Sequence, residues 1–291
     1  MQMNHIAKSI RQVNILNDIT FSLGRGKVVA LVGPNGSGKT TLMRIMSGVL
    51  CASSGEILVT EDNKTLYFMQ DNSILYSYLT GMNHLLFIGR MYGNVKKITE
   101  IVEKLHIMPF INKKVGTYSL GMKQQLLFAM ALVADGDILI LDEPFNGLDP
   151  SVSTEFKFCI QELKHSGKQI FISSHILSDI DEIADTVLFL KQGMIVQAEE
   201  VGEQHLEEYQ ITLKTGLTAQ AIQTLESHNS IYSLNRKDEN LLIVKISAGK
   251  LIDLTRLLND LQVDVANILL QNEKTKHLYH EIYEQKEDGG E

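Results

Sequence analysis

Cysteine is nearly missing from this 291-residue chain, which holds Cys51 and Cys159 far apart with no short-range partner. That scarcity excludes a disulfide framework and a cysteine-based zinc site, and it fits a reducing cytosol. Both are expected to be buried thiols rather than redox centres. Long apolar runs are missing too. The longest, Leu126 to Ala134, falls far short of the roughly 18 residues that a membrane span needs, so any role at a membrane has to come through a partner. The opening MQMNHIAKSIRQ has neither the apolar core nor the small-residue cleavage site of a secretory signal. Positive charge is in deficit, with 27 Lys and Arg against 35 Asp and Glu and a net charge of −8. This argues against a broad electrostatic footprint for nucleic acid or anionic lipid. No internal repeat or low-complexity tract stands out. What is present is an ordinary globular composition, 44% hydrophobic and 21% charged, in a chain long enough for two domains at about 150 residues each.

Three short apolar runs end in polar clusters. KVVALV opens into Gly33-Pro34-Asn35-Gly36-Ser37-Gly38-Lys39-Thr40-Thr41, Ile138–Leu141 ends at Asp142-Glu143, and Ile170–Ile172 ends at Ser173-Ser174-His175. They read as buried strands, and in an open α/β sheet ligand groups gather beyond the carboxyl ends of parallel strands. Helical patterns fill the interval between, at about 83–92, 97–106 and 123–134, so a helical subdomain over about 71–135 is expected inside the α/β core. After Asp149-Pro150-Ser151, a cap and first turn, Val152, Phe156, Ile160 and Leu163 recur at helical spacing and Gly167 closes the segment. Beyond about Val201 the pattern becomes strand, helix, strand, strand, helix, strand, the order of the ferredoxin-like motif. A last helix over about 273–285 precedes an acidic end. The expected domains are therefore 1–204 and an α+β accessory domain, 205–291.

The stretch Gly33-x-x-x-x-Gly38-Lys39-Thr40 is a P-loop pattern. Its glycines let consecutive backbone N–H groups curl around phosphate oxygens at a helix N-terminus, Lys39 brings a point charge to the β and γ phosphates, and Thr40 offers a hydroxyl to Mg²⁺. Asp142, at the end of an apolar strand, suits a carboxylate that holds Mg²⁺ through water. Adjacent side chains in a strand point to opposite faces, but the backbone turns at a strand end, so Glu143 can reach the γ-phosphate side and orient a water.

With these residues in view, the chain resembles the nucleotide-binding domain of ABC transporters, in order from about Asn4 to Gly202. Gly33–Thr41 matches Walker A, Gln70 the Q-loop glutamine, and Tyr118-Ser119-Leu120-Gly121-Met122-Lys123-Gln124 the signature loop. Ile138–Glu143 matches Walker B with its catalytic glutamate, Gly147-Leu148-Asp149 the D-loop, and His175 the switch histidine. The signature keeps its serine and second glycine but replaces the first glycine and the glutamine, a wording similar to the antibiotic-export branch of bacitracin- and lantibiotic-type ATPases. Ile10 stands where the family has an adenine-stacking aromatic, so weaker discrimination among purine nucleotides is expected.

The resemblance implies an ATP- and Mg²⁺-dependent ATPase whose site is completed when a second copy presents Ser119 and the Gly121 N–H, a head-to-tail pair most simply formed as a homodimer. Glu143 would activate water and His175 contact the γ-phosphate. Lys39, Thr40, Asp142 and Gln70 would stabilise phosphate and metal charge, and Asp149 would tie each site to its neighbour. It also implies a separate membrane permease docked beside Gln70, with Tyr76 and Tyr78 as interface aromatics, and a peripheral place on the inner membrane face. Three rivals share parts of this pattern. A nucleic-acid-associated ABC ATPase would bring paired cassettes or long coils, a P-loop kinase would leave Ser119, Gly121, Asp149 and His175 unexplained, and a degenerate regulatory cassette would fit the altered signature and Ile10.

Overall fold

Runs buried on both faces build the centre of the molecule. The computed structural model describes residues 1–59, 64–175, 177–200, 206–226, 228, 231–238, 240–247, 250–270, 275, 278, 279, 282 and 283. Strands β3 (Lys27–Val32), β6 (Ile138–Asp142), β7 (Gln169–Ser173) and β8 (Thr186–Lys191) are almost wholly buried. That is the pattern of parallel strands covered on both sides, where alternation gives way to continuous Val, Ile, Leu and Phe. With β5 (Leu66–Met69) and β9 (Met194–Glu200) they form a six-stranded sheet in the order β5-β6-β7-β3-β8-β9, parallel except for the β8–β9 hairpin.

A second, antiparallel sheet pairs β1 (Gln2–Ile10) with β2 (Val13–Ser22) and with β4 (Ser54–Leu58). The β1–β2 turn places Arg11 and Gln12 at φ of 47° and 68°, the left-handed pair of a tight hairpin whose twist matches its strands. Met3, Ile6, Leu16 and Ile19 of this sheet pack with Leu31, Leu42, Met43 and Phe171 in one core.

Helix α1 (Lys39–Met46) follows β3. Between β5 and β6 the chain is helical, with α2 (Gly81–Tyr92), α3 (Ile98–Lys104) and α4 (Leu120–Ala134), as the periodicity predicts. Thr80 and Asn83 form a reciprocal capping box at the start of α2. In α4 the residues from Leu126 to Ala131 are buried on every side, so this helix is the core of its subdomain rather than a surface element. Helix α5 (Pro150–His165) buries Phe156, Cys159 and Ile160, and α6 (Leu177–Ile183) follows β7. The expectation of two buried thiols is corrected: Cys159 is buried but Cys51 is exposed, because it lies past the end of α1 on the way to an edge strand.

The chain divides into two compact units, Val201–Lys274 and the remainder, which includes the residues from Thr275 onward. In the smaller unit β10 (Leu206–Leu213), α7 (Ala219–Glu226), β11 (Ile231–Arg236), β12 (Leu241–Ser247), α8 (Leu251–Asp260) and β13 (Val265–Leu270) follow the ferredoxin-like order. Its antiparallel sheet runs β11-β12-β10-β13 around Ile211, Leu225, Leu242, Val244, Leu254 and Leu258. The expected accessory domain 205–291 differs from this division at its end. Thr275, Leu278, Tyr279, Ile282 and Tyr283 are helical and belong with the larger unit, because their polar partners Asp181, Leu190 and Lys191 are there. The rest of that predicted helix and the acidic end lie outside the described residues.

Candidate nucleotide site

Four parallel strands deliver their carboxyl ends side by side, which places Gln70 after β5, Asp142 and Glu143 at the end of β6, Ser174 and His175 after β7, and the 33–38 loop after β3. Sequence positions that read as separate motifs thus share one edge.

The loop is shaped by its glycines. Gly36 and Gly38 hold φ of 82° and 111°, a region that side chains avoid. A Cβ on Gly33 would fall 2.5 Å from the Leu190 carbonyl, and one on Gly38 would meet Leu16 at 2.8 Å. The loop therefore packs closely against β8 and β2. Lys39 is buried and donates to the Gly33 and Pro34 carbonyls at 2.6 and 3.2 Å. Burial pushes its pKa down, while the Glu143 and Asp142 carboxylates pull it back up.

Opposite the loop, the Thr40 hydroxyl donates to Asp142 Oδ2 at 3.2 Å, and Ser173 donates to Asp142 Oδ1 at 2.5 Å. Thr40 and Asp142 are hard oxygen donors side by side, the chemistry that suits Mg²⁺. In the loop itself Ser37 Oγ is buried without a hydrogen-bond partner. An orphaned buried hydroxyl in a glycine loop at a helix N-terminus fits an anionic oxygen ligand.

Glu143 adopts φ of 50°, which breaks the strand alternation and lets two successive carboxylates serve one site. Its N–H donates to Ser173 Oγ at 3.0 Å. Its carbonyl accepts the Gln124 side-chain amide at 2.8 Å and the Asn146 N–H at 3.2 Å. Its Oε2 accepts the His175 N–H at 3.2 Å and lies 2.6 Å from His175 Nδ1.

Lys39, Thr40, Asp142, Glu143 and His175 are thereby assembled together. Gln70 stands beside them at the end of β5, one strand from Asp142 through the Met69–Leu141 register. Among the described residues Ser119 and Gly121 make no hydrogen bond to the loop. Ser119 caps α4 by accepting the Met122 N–H, and a Cβ on Gly121 would lie 3.1 Å from the Gly147 carbonyl. Asp149 caps α5 without a side-chain bond and is exposed. Ile10 sits at the tip of the β1–β2 hairpin, 45% exposed and paired with Val13.

Two contributors enter the sequence reading only as members of a motif, with no role of their own. Ser173 bonds both Asp142 and Glu143, and its only sequence signal is a polar residue ending an apolar strand. Gln124 ties α4 to Glu143, and a buried glutamine on an apolar helix is the corresponding clue.

Comparison with known proteins places this arrangement. The family model described as ABC transporter matches residues 16–146. The lantibiotic transport ATP-binding protein SrtF of Streptococcus pyogenes is 34% identical over 216 residues, covering 72% of this chain and 94% of that protein. The uncharacterized ABC transporter ATP-binding protein YcbN of Bacillus subtilis is 31% identical over 287 residues, 92% of each chain. Among solved structures, an ATP-binding subunit of an ABC transporter superposes with a TM-score of 0.64 at 25% identity, covering 68% of this chain and 89% of that one.

Proposed function

Since the chain belongs to the ABC transporter family as an ATP-binding cassette of ATPase type, we propose that it powers a separate membrane permease that exports an antibiotic, peptide or related amphiphile. The carrying observation is the junction of Thr40, Asp142, Glu143 and His175 at one sheet edge. The lantibiotic transport role of SrtF supports the class of cargo. No helix of the described residues is long and apolar enough to cross a membrane, so the membrane path falls to the permease, which would hold this subunit at the inner face.

In this reading the 33–38 loop and Lys39 bind the phosphates, and Ser37 donates its free hydroxyl to them. Thr40 and Asp142 would hold Mg²⁺, which supplies charge neutralisation at the phosphate oxygens. Glu143 orients the attacking water as general base. His175, in contact with the same carboxylate, keeps that side chain in place and contacts the γ-phosphate. Ser119 and the Gly121 N–H stand apart from their own loop and would serve the loop of a second copy. The active form is then a head-to-tail pair, with Asp149 at its seam. Tyr76 and Tyr78, 57% and 67% exposed, lie just beyond Gln70 and would receive the permease.

Light scattering of Glu143→Gln protein tests the reading. Removing the carboxylate while keeping its shape should trap a closed pair, so Mg-ATP should shift the mass from monomer to dimer. ATP binding with no mass change, together with no hydrolysis by the wild type, would point to a regulatory cassette.

A further inference from the structure

Thr275 and Tyr283 bond the larger unit at two places that both bear on the nucleotide site. The Tyr283 hydroxyl lies 2.9 Å from the Leu190 carbonyl and 3.3 Å from the Val32 carbonyl. A single O–H donates to this pair, chiefly to Leu190. Val32 is the last residue of β3, and its carbonyl shares a peptide plane with the Gly33 N–H. In a trans peptide the two point in opposite directions. A donor on the Val32 carbonyl therefore sets the direction of the first N–H in the phosphate loop. Leu190 is the other wall, since its carbonyl is the atom that leaves no space for a Cβ at Gly33.

The tyrosine is itself held. Lys191 Nζ donates to the Ile282 carbonyl at 2.7 Å and lies 5.9 Å above the Tyr283 ring, a cation over an aromatic face. Tyr279 packs at 4.5 Å between ring centroids. Burial, and then Tyr279, push the Tyr283 pKa up, so the hydroxyl keeps its proton and remains a donor. At the other end Thr275 is buried and directs both its N–H and its hydroxyl to Asp181 Oδ1. Asp181 belongs to α6, the helix that begins two residues after His175.

We propose that Tyr283 and Thr275 are positioning residues for nucleotide turnover, Tyr283 fixing the base of the phosphate loop and Thr275 fixing the helix behind His175. This rests on the ATPase reading above. Both side chains bond protein atoms. The two act through Val32 and Leu190 on one side and through α6 on the other, so they should separate in kinetics. Tyr283→Phe keeps the ring and removes only the donor, and it should raise KM for ATP about five-fold with kcat within about two-fold. Thr275→Val keeps the volume and should lower kcat about five-fold with KM little changed, and Thr275→Ser should restore the wild-type rate.

Hydrogen exchange in the full-length, nucleotide-free protein tests the same ties without hydrolysis. Tyr283→Phe should speed exchange in peptides covering 33–38, and Thr275→Val in peptides covering 177–183. Unchanged exchange at both places would overturn the inference, as would both variants lowering the melting temperature while leaving KM and kcat at wild-type values. A wild type that hydrolyses no ATP yet shows the exchange pattern would overturn the ATPase reading and leave the ties standing.

Discussion

The Gln124 side-chain amide donates to the main-chain carbonyl of Glu143 at 2.8 Å, joining the helix that starts at the signature serine to the residue placed as general base. Glu143 sits at a positive φ, a conformation that costs a residue with a Cβ about 1–2 kcal/mol. Ser173 holds its N–H and Gln124 its carbonyl, so this strained peptide is pinned from both sides. The helix capped by Ser119 thus has a direct hold on the residue proposed as base.

Gln124→Met keeps the length of the side chain and removes the amide. Loss of this buried bond should lower kcat on the order of ten-fold with KM within about two-fold, because the phosphate loop is untouched. Steady-state ATPase measurements check the split, and a rise in KM with unchanged kcat would count against the hold on Glu143.

At the hairpin tip, Ile10 and Val13 present an exposed aliphatic pair at the position where the family resemblance leads one to expect an adenine-stacking aromatic. Aliphatic cover excludes water from a base face but lacks the stacking geometry of a ring. ATP and GTP should bind with affinities within about 100-fold of each other, and Ile10→Tyr should tighten ATP by roughly two- to ten-fold. Competition titrations with a fluorescent ATP analogue decide this.

Tyr76 and Tyr78 are both exposed, with ring centroids 5.8 Å apart, and Tyr76 stacks on His84. Replacing both with Ala should shift stability by no more than about 0.5 kcal/mol each, as for surface positions generally. Basal ATPase should persist while co-purification with the proposed permease is lost. A fall in basal rate would show that the pair acts inside the cassette.

Of the parallel strands, β3, β6 and β7 were legible because each is buried on both faces and ends in polar residues, so KVVALV, Ile138–Leu141 and Ile170–Ile172 announce themselves. Strands β1, β2 and β4 were not. Their alternation is broken by register shifts and by positive φ at His5 and Asp18, which scatters polar and apolar residues out of period. Within the site, Lys39, Asp142 and Glu143 carry their chemistry in local motifs. Gln124 and Tyr283 act through bonds to distant main-chain carbonyls, and a carbonyl acceptor leaves no mark on the sequence.

Both ends of the smaller unit join the larger one, so the ferredoxin-like fold is an interior parenthesis in the chain rather than a tail. A protein cut back to residue 204 would retain every nucleotide motif yet lose Thr275 and Tyr283, and with them the clasp on the loop and on α6. Excision at both junctions, removing 201–274 and bridging the gap, is the deletion that separates the two units cleanly. By the same topology, any exchange of this unit between relatives requires two crossovers, and a single one would carry the clasp away with it.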